Sequence, residues 1–521
     1  MRISQYVPSV AVRPVRSVLV RAAVPFALIV LASCVVTGCK AGSGTSSAKT
    51  PDHPINLRIG VASPAPSAAH VFANLFTADS LVGIGWDGRP VDRIVSSWQW
   101  SHDLLKLTLR LRPDVQFHDG TPIDLKHLKG SLEAIFKAPE QAGTSISYRS
   151  VEGVDLDPEQ PGSVVVRLSR PEAFLLTDLA NSPMRLPTDD SIGTGPYKLE
   201  ASNSKVRLRA FENYYKGRPK VDIVEIETFG EQRAAWAALM RGQIDAVHEI
   251  APNAVDFVQA ENQTAVRTYP FLRPYYLQLV FNVRHPILKA PAVRQALSFG
   301  IDRQAIVDHA LNRQGTIAEG PIWPHHWAYS TAKKTYTHNS EAATLRLDTA
   351  GLPMRPSKEG RMPSRIHLRC LMVEKNAQFE KIGLILQKQL YEIGVDLEIQ
   401  ALPVADLMKR LETGDFETIL IQRTSGRSLA WTYLSFHSSV SPSGYDAADS
   451  VLDRLRQTIT ESEIRASVGD LQQILYDNPP AIFIAWPQVA RGVSSRFQVP
   501  DEAGRDVLGS LWQWRPAPPT R

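Results

Sequence analysis

Short alternating runs and amphipathic helical stretches follow one another along most of the chain. Residues 105–112 alternate apolar and polar side chains strictly, which is typical of a half-buried β-strand. Residues 232–241 and 378–393 instead carry apolar side chains at helical spacing, and each run is followed directly or closely by a glycine, Gly242 or Gly394. Because the order strand, helix, glycine, strand recurs, the pattern predicts an α/β fold with mixed sheets.

The same periodicities predict further elements and more than one core. Strands are expected at residues 164–168, 221–227 and 395–399, and helices at residues 125–136 and 292–311. The chain has 521 residues, of which 43% are hydrophobic and 21% are charged, as in an ordinary globular protein. Since single cores stop growing at roughly 250 to 300 residues, we expect at least two lobes.

The N-terminus has the features of a secretory leader. Four arginines precede or open the apolar run at residues 22–36, and no acidic residue occurs there. This run of 15 residues is shorter than the roughly 20 residues that an untilted membrane-spanning helix needs. We therefore expect residues 1–38 to be a cleaved signal peptide, and the alternative is an uncleaved anchor.

Residues 36–39, Val-Thr-Gly-Cys, resemble the bacterial lipobox, in which the cysteine is acylated and becomes the new N-terminus. Residues 40–49 are rich in glycine, serine and alanine, which is typical of a flexible linker. We expect lipidation at Cys39, a tether over residues 39–53, and a protein held at a membrane surface outside the cytoplasm.

Charge and cysteine content exclude several classes of protein. The formal net charge is +5, but without the four leader arginines the chain has 54 basic and 53 acidic residues. Such a neutral body offers no electrostatic footprint for nucleic acid. Apart from Cys34 in the leader and Cys39, only Cys370 remains, so we expect no intramolecular disulfide and a buried thiol.

A turn-rich motif follows the strand at residues 105–112. It reads Arg-Pro-Asp-Val-Gln-Phe-His-Asp-Gly-Thr-Pro over residues 112–122. We interpret it as structural: Phe117 packs between two turns, and Asp124 caps the helix that follows. His118 and Asp119 are not expected to be a catalytic pair.

This motif and an ordered series after it resemble extracytoplasmic solute-binding proteins of family 5, the oligopeptide, dipeptide and nickel group of ABC transporter substrate-binding lipoproteins. The resemblance covers nearly all of residues 59–486. The motifs that carry it are Gly-Thr-Gly-Pro-Tyr at 193–197, Asn-Tyr-Tyr-Lys-Gly-Arg-Pro at 213–219, Val-Arg-Gln-Ala-Leu-Ser-Phe-Gly-Ile-Asp-Arg at 293–303, Gly-Pro-Ile-Trp-Pro at 320–324 and Gly-Asp-Phe at 414–416.

The resemblance implies a periplasmic-binding-protein-like fold, with two α/β lobes, a hinge and a ligand cleft between the lobes. It places lobe I at residues 54–270, with a small subdomain at about 95–190, lobe II at 271–480 and a return to lobe I at 481–521. It also implies a monomer that passes a small-molecule or peptide-like solute to ABC permease subunits by lobe closure. We expect no cofactor and no enzymatic chemistry, and a metal chelate held without direct histidine ligation stays an alternative ligand.

The binding segment departs from the pattern of the peptide-binding members. After Gly-Asp-Phe these members have a tryptophan and then an aspartate that pairs with the ammonium group of the ligand. Here the corresponding residues are Arg423 and Gly426, and Arg427 follows. Because guanidinium groups bind carboxylates, sulfonates and phosphates, one hypothesis is that the ligand is anionic. The alternative is that both arginines face solvent or pair with acidic neighbours.

Further candidate ligand residues come from the segments that line the cleft in this family. Ala62 and Ser63 lie where relatives offer backbone groups to the ligand. Aromatic side chains suit an apolar pocket with a polar handle, and their alternative role is ordinary core packing. The aromatic candidates are Trp323, Trp327, Trp431, Tyr433 and Trp486.

Two other functions remain as alternatives. A receptor or chaperone lipoprotein could have kept the fold without transport. A lipid-anchored hydrolase is a weaker alternative, because the sequence has neither Gly-x-Ser-x-Gly nor His-Glu-x-x-His. The adjacent His325 and His326 have no third ligand at metal spacing, which argues against a directly ligated metal.

Overall fold

The computed structural model describes most of the chain after the leader and tether. The described residues are 54–137, 146–200, 205–250, 265–332, 334–356, 363–500, 502 and 504–518. The predicted signal peptide, Cys39 and residues 39–53 therefore lie outside them. No helix among the described residues is long and apolar enough to cross a membrane.

The strands are numbered in chain order. They are β1 Asn56–Ala62, β2 Val82–Ile84, β3 Pro90–Asp92, β4 Val95–Trp100, β5 Lys106–Leu111, β6 Val151–Leu156, β7 Ser163–Leu168, β8 Arg185–Leu186, β9 Asp189–Gly193, β10 Tyr197–Glu200, β11 Val206–Ala210, β12 Ile223–Phe229, β13 Ala246–Ile250, β14 Val266–Leu272, β15 Tyr275–Phe281, β16 Gly315–Ile317, β17 Ile366–Val373, β18 Val395–Leu402, β19 Thr418–Thr424, β20 Ala481–Ser494, β21 Phe497–Gln498 and β22 Arg515–Pro516.

The α-helices are numbered in the same way. They are α1 Ala68–Thr77, α2 Leu125–Lys137, α3 Leu175–Asp178, α4 Gln232–Met240, α5 Pro291–Phe299, α6 Arg303–Ala310, α7 Ser340–Thr349, α8 Ala377–Glu392, α9 Val404–Thr413, α10 Leu429–Phe436, α11 Asp449–Arg456 and α12 Glu461–Asp477.

Within the described residues, a 12-stranded sheet runs through both halves of the molecule. Its order is β10-β11-β12-β1-β13-β20-β15-β19-β17-β18, and β14 and β16 also pair with β20. We call the half with β1, β10–β14 and the end of β20 lobe I, and the half with β15–β19 and the start of β20 lobe II. Parallel and antiparallel pairs both occur, which confirms the α/β fold with mixed sheets.

Strand β20 passes from lobe II to lobe I. Residues 481–485 pair with β15, whereas residues 488–494 pair with β14. The link from β14 to β15 crosses beside it, and the Arg273 amide donates to the Pro487 carbonyl over 3.1 Å. Two adjacent crossings are the arrangement expected of a hinge. The exact lobe boundaries given above stay a prediction.

A separate four-stranded sheet, β4-β5-β7-β6, packs with α2 into a small domain. The alternation predicted for β5 is confirmed, because Leu107 and Leu109 are fully buried while Lys106 and Arg110 face solvent. Leu128 of α2 is fully buried against the same core. Burying these side chains contributes roughly 1.5–3 kcal/mol each.

The turn-rich motif has the structural role predicted for it. Phe117 is fully buried, and the His127 amide donates to Asp124 at the start of α2 over 2.9 Å. The Nε2 atom of His118 lies 3.0 Å from the Gly195 carbonyl oxygen. Burial lowers the pKa of His118 to about 4, so this imidazole is neutral near pH 7.

One helix prediction needs correction. The expected helix at residues 292–311 is two helices, α5 and α6, because the chain breaks at residues 300–302 and Asp302 caps α6 by accepting from the Ala305 amide. The connection after His325 also contains a helix, α7, capped by Asn339. Cys370 is a fully buried free thiol, as expected, and burial raises its pKa to about 12.

The small domain also touches lobe II through a turn before α3. Glu172 is fully buried and forms an ion pair with Arg456 of α11, which is 6% exposed. The Ala173 amide donates to the Arg456 carbonyl over 2.7 Å, and Phe174 packs into the lobe II core. Charge, backbone and apolar contacts therefore coincide at one small junction.

Candidate solute-binding cleft

Arg423 lies on the face of the lobe II sheet that bears a cluster of aromatic rings. It is on β19, directly opposite Tyr276 of β15, and opposite residues of an antiparallel pair project to the same face. The Tyr276 ring lies 5.2 Å from the ring of Trp486 on β20. The sheet thus places a guanidinium group beside aromatic side chains close to the crossing of β20.

Arg423 has no anionic partner in the part of the chain that the structure describes. Its side chain is partly buried, and the Nε atom is buried without a hydrogen-bond partner. Loss of water lowers the pKa of Arg423 from its ordinary value, and Tyr276 offsets this only in part. A partly buried cation without a counter-ion is costly to keep.

Arg427 is a second cation of the same kind. Its Nε atom is also buried without a partner among the described residues, and burial lowers the pKa of this guanidinium. The Cζ atom lies 5.9 Å from the centre of the Trp86 ring. Asp506 acts on Arg427 only as a more distant charge, since its ion pair is with Arg491 at 2.6 Å. Within the described ranges, neither arginine therefore pairs with an acidic neighbour.

The loop that carries Arg427 has a strained backbone. Gly426 and Arg427 have φ values of 53° and 60°, in the left-handed region that L-residues other than glycine seldom adopt. The Ser425 amide fixes the loop to the Pro274 carbonyl over 2.7 Å. A Cβ atom at Gly426 would lie 2.5 Å from Cδ1 of Trp431. A carboxylate side chain at position 426 would therefore clash with Trp431.

The predicted tryptophans fall into two groups. Trp323 and Trp486 are almost fully buried, with ring centroids 5.5 Å apart, and belong to the lobe II core cluster. Trp327 and Trp431 are only partly buried. The rings of the first pair are almost closed to a solute in this conformation, so their ligand-binding role stays a prediction.

Three predicted residues lie apart from the arginines. Tyr433 stacks on His437 at 4.3 Å and accepts a hydrogen bond from Arg456, which places it at the small-domain junction. Ala62 is the last residue of β1 in lobe I, and Ser63 follows it. The Ser63 amide donates to the Phe229 carbonyl over 2.8 Å. Among the described residues, no hydrogen bond or ion pair joins these three to Arg423 or Arg427.

The structure also brings in residues that sequence reasoning missed. Trp86 lies over Arg427, and the indole Nε1 of Trp323 donates to the Trp86 carbonyl over 2.9 Å. The Gly-Trp-Asp-Gly turn at residues 85–88 was the available signal. His248 lies near Arg273 and Arg491, and burial, followed by these two charges, lowers its pKa to about 3. It is therefore neutral near pH 7 and adds no charge.

The positive charges of Arg423 and Arg427 are not compensated by acidic side chains among the described residues, whereas those of two other arginines are. Arg273 forms an ion pair with Glu249, and Arg491 forms one with Asp506, so these two cations are compensated.

The described residues contain no group of three His, Cys, Asp or Glu side chains that could hold a metal ion. His326 is buried, and burial lowers its pKa to about 4.

Sequence comparison places the chain among bacterial binding proteins. It is 26% identical over 343 residues to a probable D,D-dipeptide-binding periplasmic protein of Escherichia coli, which covers 62% of this chain and 63% of that relative, so the match spans less than two thirds of its length. It is 23% identical over 439 residues to the dipeptide-binding protein of E. coli, covering 75% of this chain and 80% of that protein.

Structural comparison shows the fold. The structure of NikZ from Campylobacter jejuni in complex with Ni(L-His) has a TM-score of 0.70 at 22% identity, covering 88% of this chain and 99% of that one. The family described as bacterial extracellular solute-binding proteins, family 5 Middle, matches residues 89–445, which is more than half of the chain. The protein belongs to the family 5 bacterial extracellular solute-binding proteins.

Proposed function

We propose that this protein captures a small solute bearing an acidic group outside the cytoplasm and passes it to the permease of an ABC importer. The observation that carries the proposal is the pair Arg423 and Arg427, two partly buried guanidinium groups without a carboxylate partner in the described residues. A carboxylate, sulfonate or phosphate would supply that partner through charge-assisted hydrogen bonds.

The same geometry disfavours a free peptide N-terminus at this position. An ammonium group in a closed cleft needs a fixed carboxylate, and the place of that carboxylate is taken by Gly426, where any side chain would meet Trp431. Asp506, the carboxylate that acts on Arg427, is already paired with Arg491. Peptide-like solutes fit this site best through their carboxylate end.

Binding and release need no covalent step. Family 5 proteins are extracellular solute-binding proteins, and a hinge between lobes converts binding into a shape that a permease recognises. The adjacent crossings of β20 and of residues 272–275 supply such a hinge. The solute would bind as lobe I closes on the arginine-bearing face of lobe II, and opening would release it.

We further propose that Cys39 is acylated and that residues 39–53 tether the lobes to the membrane surface. The support is the Val-Thr-Gly-Cys sequence after an apolar run and before a glycine- and serine-rich segment. Cys39→Ser should move the protein from the membrane fraction to the soluble fraction after cell lysis. Retention of this variant in washed membranes would contradict the lipid tether.

Matched dialanine derivatives test the charge preference of the site by thermal unfolding. N-acetyl-dialanine has a carboxylate and no ammonium, whereas dialanine amide has an ammonium and no carboxylate; citrate and inorganic phosphate extend the anions. We expect one or more of the three anions to raise the Tm, because a ligand at 100 times its Kd stabilises by about 2.7 kcal/mol. A rise with the amide and none with the anions would overturn the proposal.

A further inference from the structure

A short hairpin links the small domain to lobe II. Strands β2 and β3 pair in antiparallel register, and residues 85–89 form their tip. At the base, Leu81 and Val82 are fully buried in the small-domain core, and the Leu81 amide donates to the Ser182 carbonyl over 3.1 Å. The base of the hairpin is thus fixed in the small domain, while its tip contacts lobe II.

The tip is attached to lobe II by two hydrogen bonds that its backbone carbonyls accept. The Trp327 amide donates to the Asp87 carbonyl over 2.9 Å, and the Trp323 indole donates to the Trp86 carbonyl over the same distance. These bonds can form only when the hairpin lies on residues 323–327. The two hydrogen bonds therefore report directly whether the tip is docked on lobe II.

Side chains of the tip add to this contact. The Trp86 ring lies 5.1 Å from the His325 ring and has the Arg427 guanidinium 5.9 Å from its centre. Arg89 lies 4.5 Å from the centre of the Trp327 ring and forms an ion pair with Glu461 of α12 at 3.2 Å. The partly exposed ion pair adds little, so the rings and backbone bonds supply most of the attachment.

Gly88 permits the close approach. Its φ is 83°, and a Cβ atom there would lie 2.5 Å from the Arg427 carbonyl oxygen and would also overlap the His326 ring. Glycine is therefore required twice at this position, by the turn and by the surface on which the tip rests. A single methyl group would separate the tip from lobe II.

We propose that residues 85–89 are a latch that locks the closed lobes and positions Arg427 for the solute. Trp86 covers the guanidinium from the hairpin of the small domain, and the Gly88 contact holds the Arg427 backbone in its strained conformation. The bound acidic group and the docked tip both act on Arg427, so each stabilises the other. The solute-linked part of this proposal rests on the proposed function, whereas the latch itself does not.

Hydrogen exchange of the Trp327 amide tests the latch without any ligand. In the purified full-length protein, Gly88→Ala should speed this exchange by about tenfold or more, since the amide loses its acceptor on Asp87. Gly351→Ala is the matched control, because Gly351 has a similar φ of 77° and a Cβ atom added there would meet no other atom within 4 Å. This control should leave Trp327 exchange unchanged.

A second variant keeps the test decisive if Gly88→Ala folds poorly. Trp86→Ala removes the ring that packs on His325 and Arg427, and should speed Trp327 exchange in the same direction, while Trp86→Phe should restore most of the protection. Unchanged exchange at Trp327 in both Gly88→Ala and Trp86→Ala would overturn the latch. A failure of the anion panel alone would overturn only the ligand class.

Discussion

Replacing Arg423 and Arg427 together with alanine is expected to raise the Kd for the acidic solute by roughly 100-fold to 10,000-fold. Each guanidinium would lose charge-assisted hydrogen bonds of about 1.5–3 kcal/mol, which together correspond to that range. The Nε atom of each arginine has no hydrogen-bond partner among the described residues, so the folded protein should keep its structure. Titration calorimetry with an anion that raises the Tm of the unmodified protein provides the measurement.

A control variant separates the effect of contacts in the cleft from the effect of the net charge of the protein. Lys381→Ala and Lys388→Ala remove two positive charges from exposed positions on α8 of the same lobe. This pair should change the Kd little, because exposed distant charges are screened by salt. An equal loss of affinity in both double variants would show that net charge, not the cleft, attracts the solute.

Arg427 offers a way to separate binding from stability. Arg427→Gly removes a cation and also relieves a left-handed backbone conformation at φ 60°. Relief of such strain is worth roughly 1–2 kcal/mol. This variant should therefore unfold at a higher temperature while binding the solute more weakly. A gain in stability with unchanged affinity would remove Arg427 from the site.

The second large effect is expected at the junction of the small domain with lobe II. Arg456→Leu leaves Glu172 fully buried and without its ion-pair partner. Loss of one member of a buried pair costs about 3–5 kcal/mol, because the remaining charge is desolvated without compensation. Urea unfolding of this variant should show a fall in the free energy of unfolding of that size.

A double-mutant cycle separates the ion pair from the packing around it. Glu172→Gln with Arg456→Leu should cost less than the sum of the two single changes, since no unpaired charge remains. The exposed pair Arg167–Asp155 is the control, and Arg167→Leu should unfold near the unmodified midpoint. Strict additivity at Glu172 and Arg456 would mean that the pair does not couple the domains.

Local patterns predicted much of the fold, and tertiary contacts decided the rest. The alternation over β5 and the apolar spacing of α8 are properties of neighbouring residues, so both elements are confirmed within one or two residues. The break between α5 and α6 was missed because apolar periodicity continues across Gly300 and Asp302. The first helix ends at Phe299 and Asp302 caps the start of the next, which a periodicity argument does not detect.

The candidate site was likewise predicted in part from the sequence, and the rest depends on contacts between distant residues. Arg423 and Gly426 were identified because they replace residues of a recognisable family motif, and the structure places Arg423 and Arg427 without an acidic partner among the described residues. Trp86 was missed because its contact with Arg427 joins residues more than 300 positions apart. Tyr433 could not be separated from the site by sequence, since its partner Arg456 lies on another helix.

Native mass spectrometry of the protein purified under mild conditions from its own cells tests the central claim most directly. We predict one small non-covalent solute per chain that carries a carboxylate, sulfonate or phosphate group, and its absence from the Arg423→Ala and Arg427→Ala double variant. A retained solute that has an amino group and no acidic group, or equal retention by the double variant, would contradict the account.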